Sequence, residues 1–283
     1  MRLAFVGLGK MGRSILKGAL ERGFLRPEEV GVLGRTPERS RELAEPFGVR
    51  PLTRADLGMA ERVLIAVQPR DFPALAPEIA HPRLGYTSLM AGAPTATLAR
   101  RLDTRLGYIS IMAGISTSVL ARRLDNRRVV RAMPNLAVVI GESSTALTAL
   151  KEAREAEDLA FARALFATVG DVYEIPEHLF DAFTGMSASA PAYLAVVAEA
   201  LADAGVKMGM PRALALRLAA DALAATGELL KGRHPAQVKD EVASPGGTTI
   251  HGLHALEARA VRAAFYEAVE AATRRGHELG ESE

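Results

Sequence analysis

Three glycines near the start of the chain, Gly7, Gly9 and Gly12, constrain its fold more than any other feature. Residues 2–7 read as an apolar strand, and residues 10–23 carry apolar side chains at helical spacing. Between a strand and a helix, the first glycine permits a tight turn and the second lets the backbone approach a pyrophosphate. The third allows close packing of helix on strand. The pattern predicts a dinucleotide-binding βαβ unit and favours it over a plain glycine-rich turn.

The alternation of strands and helices continues to about residue 175. A second helix is predicted over 37–47, and further strands are predicted over 29–34, 62–67, 86–91, 108–113, 128–133, 145–150 and 171–175. Such alternation is typical of a Rossmann-like α/β domain with a mostly parallel sheet. Beyond it, only helices are predicted, over 178–205, 211–232, 234–242 and 249–279. We therefore expect two domains, 1–175 and 176–283.

Residues 84–105 and 106–127 form a tandem repeat, with most positions identical. Each copy reads as one strand followed by one short helix. Either the sheet gains a strand, or one copy leaves the sheet as a surface excursion. Because the second copy leads directly into the strand predicted over 128–133, we predict that it holds the ordinary strand position.

Composition excludes several classes of protein. The 283 residues are 49% hydrophobic, enough for a large core, and the absence of cysteine excludes disulfides and thiol catalysis. The net charge of +2 is spread over interspersed acids and bases, so we expect no nucleic-acid partner. No apolar run looks long enough to span a membrane, so we expect a cytoplasmic protein without a membrane partner. His251 and His254 lack an evident third ligand, so no metal is expected.

The second predicted strand ends in Gly34, Arg35 and Thr36, where NAD-binding proteins usually carry an acid for the ribose hydroxyls. A guanidinium and a hydroxyl suit a 2′-phosphate instead, which favours NADP (NADPH), with NAD possible. The alternative is that Arg35 is an ordinary solvated arginine. Other predicted cofactor contacts also follow strands: Ala66, Val67, Gln68, Pro69, Ala113 and Gly114.

A proline and two glycines interrupt the helical half of the chain, in the sequence SPGGTT at 244–249. These residues do not belong inside a helix, whereas apolar side chains at helical spacing follow them. Free backbone N–H groups at a helix start form a site for an anion such as a carboxylate. The alternative is an ordinary capped helix start.

Together these segments resemble the pyrroline-5-carboxylate reductases. The matching pieces are GLGKMG (7–12), GRT (34–36), AVQP (66–69), SIMAGIST (110–117), RVVRAMPN (128–135), FTGMSASAPAY (183–193) and DEVASPGGTTIHGLHALE (240–257). The resemblance implies NAD(P)H-dependent reduction of the cyclic imine Δ1-pyrroline-5-carboxylate to L-proline. It also implies that the helical domain, 176–283, binds substrate and interlocks in a homodimer or higher homo-oligomer.

The resemblance assigns residue roles as well. It implies that the substrate lies at Ser244, Gly246, Gly247, Thr248 and Thr249. Thr249 then lies near the imine nitrogen, which it orients or protonates. It adds Lys10, Met11 and Asn135 to the cofactor contacts. One departure is Gln68, where the family often has lysine.

Two alternatives remain at this stage. A β-hydroxyacid dehydrogenase-like oxidoreductase shares the glycine-rich start, but that chemistry needs a lysine in the first interdomain helix, and residues 178–205 contain none. The other alternative is a catalytically impaired NADP-binding protein in which the repeat blocks the site.

Overall fold

The computed structural model describes residues 1–80 and 106–281. The chain divides into two compact units. The first comprises Met1–Ala188 and Thr273–Glu283, and the second comprises Ser189–Ala272. The chain thus returns to the first unit after leaving it, which the sequence did not indicate. The domain boundary near residue 175 stays a prediction.

An eight-stranded, mostly parallel sheet forms the centre of the first unit. Its strands are β1 (Leu3–Val6), β2 (Val30–Leu33), β3 (Arg50–Pro51), β4 (Arg62–Ile65), β5 (Gly107–Ser110), β6 (Val129–Met133), β7 (Ser143–Ala149) and β8 (Gly170–Glu174). The order across the sheet is β3-β2-β1-β4-β5-β6-β7-β8, and the β6–β7 pair is antiparallel. The sequence did not predict the two-residue strand β3, because it is too short for a periodic pattern.

Helices cover both faces of this sheet. They are α1 (Lys10–Glu21), α2 (Pro37–Ala44), α3 (Phe72–Ala80), α4 (Thr117–Leu124), α5 (Lys151–Glu155) and α6 (Asp158–Ala167). Alternate residues of β1 belong to different core clusters: Leu3 and Phe5 pack with α1 and α6, whereas Ala4 and Val6 pack with α3 and α4. Burial on both faces explains why the central strands are apolar throughout.

The second copy of the repeat supplies β5 and α4. Residues of β5 pair in parallel register with β4 on one side and β6 on the other. The predicted role of the second copy in the sheet is therefore confirmed. The first copy, 84–105, lies outside the described residues, as does the strand predicted over 86–91.

The end of the first unit and all of the second are helical. After β8 come α7 (Phe180–Phe183), a π-helical turn (Thr184–Ala188) and then α8 (Ala190–Lys207), α9 (Arg212–Leu230), α10 (Pro235–Val242), α11 (Thr248–Glu257) and α12 (Val261–Glu281). The single helix predicted over 249–279 is wrong, because Ala260 adopts a left-handed conformation with φ +52° and separates α11 from α12. No glycine or proline marks that break in the sequence.

The helical stretch Glu177–Lys207 is long and apolar enough, by length and composition alone, to cross a membrane. The expectation that no apolar run reaches that length is therefore wrong, because the short elements after β8 join α8 in one continuous stretch. Only 11% of its most apolar window is buried within the chain. The stretch therefore presents an apolar surface that this chain alone does not cover.

Candidate active site

The strand order brings together the residues predicted to bind the cofactor. The carboxyl ends of β2, β1, β4, β5 and β6 lie side by side at one edge of the sheet, since these five strands are parallel neighbours. Each predicted group follows one of these strands: Arg35 and Thr36 after β2, Gly7 to Gly12 after β1, Ala66 to Pro69 after β4, Ala113 and Gly114 after β5, and Asn135 after β6. In open α/β sheets, ligands bind at this edge.

Two of the three glycines are required by close packing. Gly7 has φ +77°, and a Cβ built on it would lie 2.8 Å from Val67 Cγ1 and 3.0 Å from the Ala66 carbonyl oxygen. A Cβ on Gly12 would lie 3.3 Å from Ala66 Cβ. The turn after β1 therefore packs tightly against the segment after β4, as predicted for the first and third positions of the fingerprint.

Gly9 differs from both, because a Cβ on it would meet nothing within 4 Å. It precedes α1 without any side-chain cap, and the first turn of α1, which includes Lys10 and Met11, contains no acid. The first amide N–H groups of this helix have no intrahelical acceptor. Open space beside uncapped amides and a positive helix dipole fits the pyrophosphate of a dinucleotide.

Arg35 and Thr36 have different surroundings. The Arg35 side chain is 84% exposed, and its Nη2 lies 3.0 Å from Asp71 Oδ2. The Thr36 hydroxyl accepts a hydrogen bond of 3.2 Å from the Arg39 amide and caps α2. The backbone amide of Glu38 and the Thr36 hydroxyl lower the pKa of the Glu38 carboxyl. The exposed Arg35 side chain can therefore turn toward an anion, whereas the Thr36 hydroxyl is already engaged in capping α2. The sequence had no signal for the ion pair with Asp71.

The segments after β4 and β5 leave the sheet in extended or left-handed conformations. Gln68 is exposed and extended, and Pro69 begins a single 3-10 turn. Ala113 packs against the cluster that contains Met133 and Phe180. Gly114 has φ +76°, a conformation that other residues rarely adopt.

Asn135, after β6, is 9% exposed and shapes its own loop. Its Oδ1 accepts from the Ala137 amide at 3.1 Å, and its backbone amide donates to Ser143 Oγ at 3.2 Å. The structure thus gives Asn135 a role in holding the loop, beside the predicted cofactor contact.

In the second unit, the residues predicted to bind the substrate lie in one turn before α11. Gly246 has φ +68°, and a Cβ on Gly247 would lie 2.3 Å from Ser244 Oγ. The Gly247 amide donates to the Ser244 carbonyl oxygen at 3.1 Å. Thr248 and Thr249 are the first residues of α11, which has ten residues, no side-chain cap and no acid in its first turn. The turn is therefore built to leave the first amides of α11 uncapped, as an anion site requires.

Two family models match the chain, one in each part. The model described as pyrroline-5-carboxylate reductase dimerisation matches residues 177–279. The model described as NADP oxidoreductase, coenzyme F420-dependent, matches residues 2–92. The second match covers the turn after β1 and the uncapped start of α1. The first covers the turn before α11.

Whole-chain relatives agree with these matches. The chain is 92% identical to a pyrroline-5-carboxylate reductase of Thermus thermophilus over 283 residues, which is all of each protein. A solved structure of this enzyme from Streptococcus pyogenes is 31% identical, with a TM-score of 0.79 and 98% of each chain covered. A Plasmodium falciparum pyrroline carboxylate reductase with NADP bound is 25% identical, with a TM-score of 0.81, covering 99% of this chain and 98% of that one.

These matches do not favour the two alternatives, a β-hydroxyacid dehydrogenase or an impaired NADP-binding protein. The similarity extends over both units and is not confined to the widely shared glycine-rich start. The chain belongs to the pyrroline-5-carboxylate reductase family and is an NAD(P)H-dependent oxidoreductase that forms a homo-oligomer.

Proposed function

We propose that this protein reduces Δ1-pyrroline-5-carboxylate to L-proline with NADPH, as a cytoplasmic enzyme built on a homodimer. The observation that carries the proposal is the 92% identity to a pyrroline-5-carboxylate reductase over the whole of both chains. The SPGGTT turn supports it independently, because its geometry suits a carboxylate, which this substrate carries.

The substrate carboxylate is assigned to the start of α11. The amides of Thr248 and Thr249 lie where a helix has no acceptors of its own, and the positive end of the helix dipole favours an anion. Gly247 places these amides, since its own amide donates to the Ser244 carbonyl oxygen. Ser244 and Gly246 shape the turn through the contacts described above. A carboxylate held at these amides leaves the ring of the substrate close to the Thr249 hydroxyl.

The role of Thr249 follows from the needs of the imine. A protonated imine already accepts a hydride readily, so the protein needs neither a strong acid nor a metal. It has to hold the imine in the correct orientation. Thr249 is half-buried, and we assign its hydroxyl to the imine nitrogen, which it orients or protonates.

The cofactor is assigned to the carboxyl edge of the sheet. Gly7, Gly9 and Gly12, with the amides of Lys10 and Met11, hold the pyrophosphate, and Arg35 holds the 2′-phosphate. The segments that end in Pro69, Gly114 and Asn135 flank the rest of the site. When bound, NADPH supplies the hydride from C4 of its nicotinamide.

The first experiment is an assay of the purified protein with NADPH and pyrroline-5-carboxylate, following nicotinamide absorbance and identifying proline. Thr249→Val and Thr249→Ser are compared with Thr226→Val, since Thr226 is exposed and its hydroxyl donates to the Ala222 carbonyl oxygen of its own helix. We expect Thr249→Val to lower kcat/KM for the imine by roughly tenfold to a hundredfold, which corresponds to the loss of one hydrogen bond to a charged group, about 1.5–3 kcal/mol. Thr249→Ser should restore most of it, and Thr226→Val should resemble the wild type.

Two results would contradict the proposal at different levels. Wild-type protein that binds NADPH but forms no proline would refute the assigned reaction. Proline formation with Thr249→Val equal to wild type would keep the reaction and remove Thr249 from the site.

A further inference from the structure

We propose that the last turn of α12 is a positioning element for hydride transfer, acting through Gly280 on the loop that follows β5. This inference rests on the proposed function, because it takes the Ala113–Gly114 segment to be the part of the cofactor site nearest the nicotinamide. Gly280 itself is assigned no contact with cofactor or substrate.

The contact between α12 and this loop is too close for a side chain at either position. A Cβ on Gly280 would lie 2.7 Å from the Gly114 carbonyl oxygen. In the other direction, a Cβ on Gly114 would lie 2.9 Å from Leu279 Cβ. Gly114 also has φ +76°, a conformation that residues with a side chain rarely adopt, so the loop requires glycine where α12 lies against it.

A second glycine lies one turn earlier on the same side of α12. Gly276 is four residues before Gly280, so the two glycines face the same direction. A Cβ on Gly276 would lie 3.3 Å from Asp181 Oδ1, and Asp181 in turn lies 3.7 Å from the Arg131 guanidinium of β6. The end of α12, which belongs to the first unit, therefore packs closely against other segments of that unit at two consecutive turns. The glycine spacing was visible in the sequence, but its partners were not.

The far end of the same loop is held by a different segment. Glu177 accepts a hydrogen bond of 2.8 Å from the Thr117 amide, the first residue of α4, and also one from the Thr117 hydroxyl. Arg131 Nη1 lies 3.2 Å from Glu177 Oε1. Residues 111–116 are thus contacted at one end by Glu177 and near the middle by Gly280. Glu177 comes before the chain leaves the first unit at Ala188, and Gly280 comes after it returns at Thr273.

The size of the expected effect follows from the geometry. Ordinary van der Waals contact begins at 3.4 Å, so alanine at position 280 would require the Gly114 carbonyl to move by about 0.7 Å. A misplacement of about 1 Å at reacting groups can cost about a hundredfold in rate. A shift of this size in the loop is therefore large enough to slow hydride transfer without unfolding the protein.

The test uses three glycine-to-alanine variants that differ in available space. Gly280→Ala meets a backbone oxygen at 2.7 Å, Gly276→Ala meets a movable carboxylate at 3.3 Å, and Gly227→Ala in α9 meets nothing within 4 Å. All three remove a helix glycine and so share the same small gain in helix propensity. We expect kcat for proline formation to fall roughly tenfold for Gly280→Ala and two- to threefold for Gly276→Ala, and to stay unchanged for Gly227→Ala.

Two further readouts separate positioning from general destabilisation. With NADPH deuterated at the transferred position, the isotope effect on kcat should rise for Gly280→Ala, because hydride transfer becomes more rate-limiting. In the ligand-free protein, hydrogen exchange of the amides in 111–116 should become faster for Gly280→Ala but not for Gly227→Ala, with the unfolding temperature unchanged.

Equal kcat values for Gly280→Ala and Gly227→Ala would overturn the inference. Unchanged hydrogen exchange in 111–116 would overturn it as well, because the contact would then not hold the loop. Absence of proline formation by the wild type would refute the proposed function instead, and the exchange measurement on ligand-free protein would still decide whether α12 holds the loop.

Discussion

In the first unit, every residue of β1, β5 and β6 is buried, whereas in the second unit the buried core cluster contains only Ala202, Ala215 and Ala219. No residue of α11 is buried. Large apolar side chains are instead exposed along the second unit, among them Leu194, Val196, Leu201, Leu214, Leu218, Ile250 and Phe265. The two units therefore differ strongly in how far their apolar side chains are buried within one chain.

This difference in burial indicates where each unit obtains its stability. The sheet of the first unit covers its own apolar residues with helices on both faces, so its core is complete within one chain. The helices of the second unit leave a broad apolar surface, and such surfaces mark interaction sites. Because residues 177–279 match a dimerisation model, we expect another copy of the chain to cover this surface.

The largest expected effect comes from placing charge on the exposed apolar surface of the second unit. Leu214 and Leu218 are one helical turn apart on α9 and are both 46% exposed. We expect Leu214→Glu with Leu218→Glu to abolish the oligomer and proline formation, since burying two unpaired charges costs several kcal/mol. Light scattering measures the subunit count, and the unfolding temperature should lose its dependence on protein concentration.

Met59→Glu is the control in the first unit, because Met59 is an isolated exposed side chain at 47%. It should change stability by less than about 0.5 kcal/mol and leave the oligomer intact. An intact oligomer in the double variant would show that the surface around Leu214 is not the one covered by the partner.

A smaller effect is expected in the self-contained core of the first unit. The Asp158 carboxylate is fully buried at the amino ends of the strands and accepts hydrogen bonds of 2.8 Å from Arg62 and Arg128. Asp158→Asn removes the buried negative charge that these two guanidiniums share, which should cost about 3–5 kcal/mol. Urea unfolding measures the loss.

The comparison of the two units also predicts that the loss in unfolding free energy for Asp158→Asn does not depend on protein concentration. The urea midpoint of unfolding for Asp158→Asn should fall by the same amount at low and high protein concentration, as long as the oligomer is intact. For a variant at the subunit contact, the fall should depend on protein concentration. Asp171→Asn on β8 is the control, because that side chain is exposed. Loss of the oligomer before unfolding of the sheet would contradict the assignment of Asp158 to a core complete within one chain.

The smallest effect is expected for Arg35, which should change the KM for the cofactor, assigned to the first unit, but not the KM for the imine, assigned to the second. We expect Arg35→Ser to raise KM for NADPH roughly tenfold, because a charge-assisted hydrogen bond to phosphate contributes about 1.5–3 kcal/mol. KM for NADH and for the imine should stay within twofold, since the imine is assigned to the second unit. Steady-state kinetics with both dinucleotides measures this.

Arg163→Ser is the matched control, since Arg163 is also exposed and lies 3.0 Å from one carboxylate oxygen, Glu174 Oε2. It should leave all three KM values unchanged. A similar rise for NADPH and NADH in Arg35→Ser would remove Arg35 from the 2′-phosphate and leave it as a solvated arginine paired with Asp71.

Much of the fold follows from local sequence. The apolar runs of β1, β4 and β6 were predicted within one or two residues, because a strand buried on both faces has no polar alternation to confuse with other patterns. The tight turn predicted at Gly7 and the close packing predicted at Gly12 agree with the structure, because each requirement is local and only glycine meets it. Their contact with a cofactor stays a prediction.

Other elements depend on contacts between distant segments. The break between α11 and α12 falls at Ala260, a good helix former, so nothing local signalled it. The Arg35–Asp71 ion pair and the Gly280–Gly114 contact join segments far apart in the chain. One continuous helix was predicted over 178–205, but the sequence did not show how little of the stretch Glu177–Lys207 is buried within the chain.

The sequence by itself determined the alternation of elements, the glycine turn before α1 and the SPGGTT turn before α11, because these depend on backbone conformation and side-chain volume at single positions. Only the tertiary structure decided that the second copy of the repeat supplies β5, that the chain returns to the first unit at Thr273, and that the buried core cluster of the second unit consists of three alanines. These features depend on which surfaces meet, and the free energy of that choice comes from burial between distant segments.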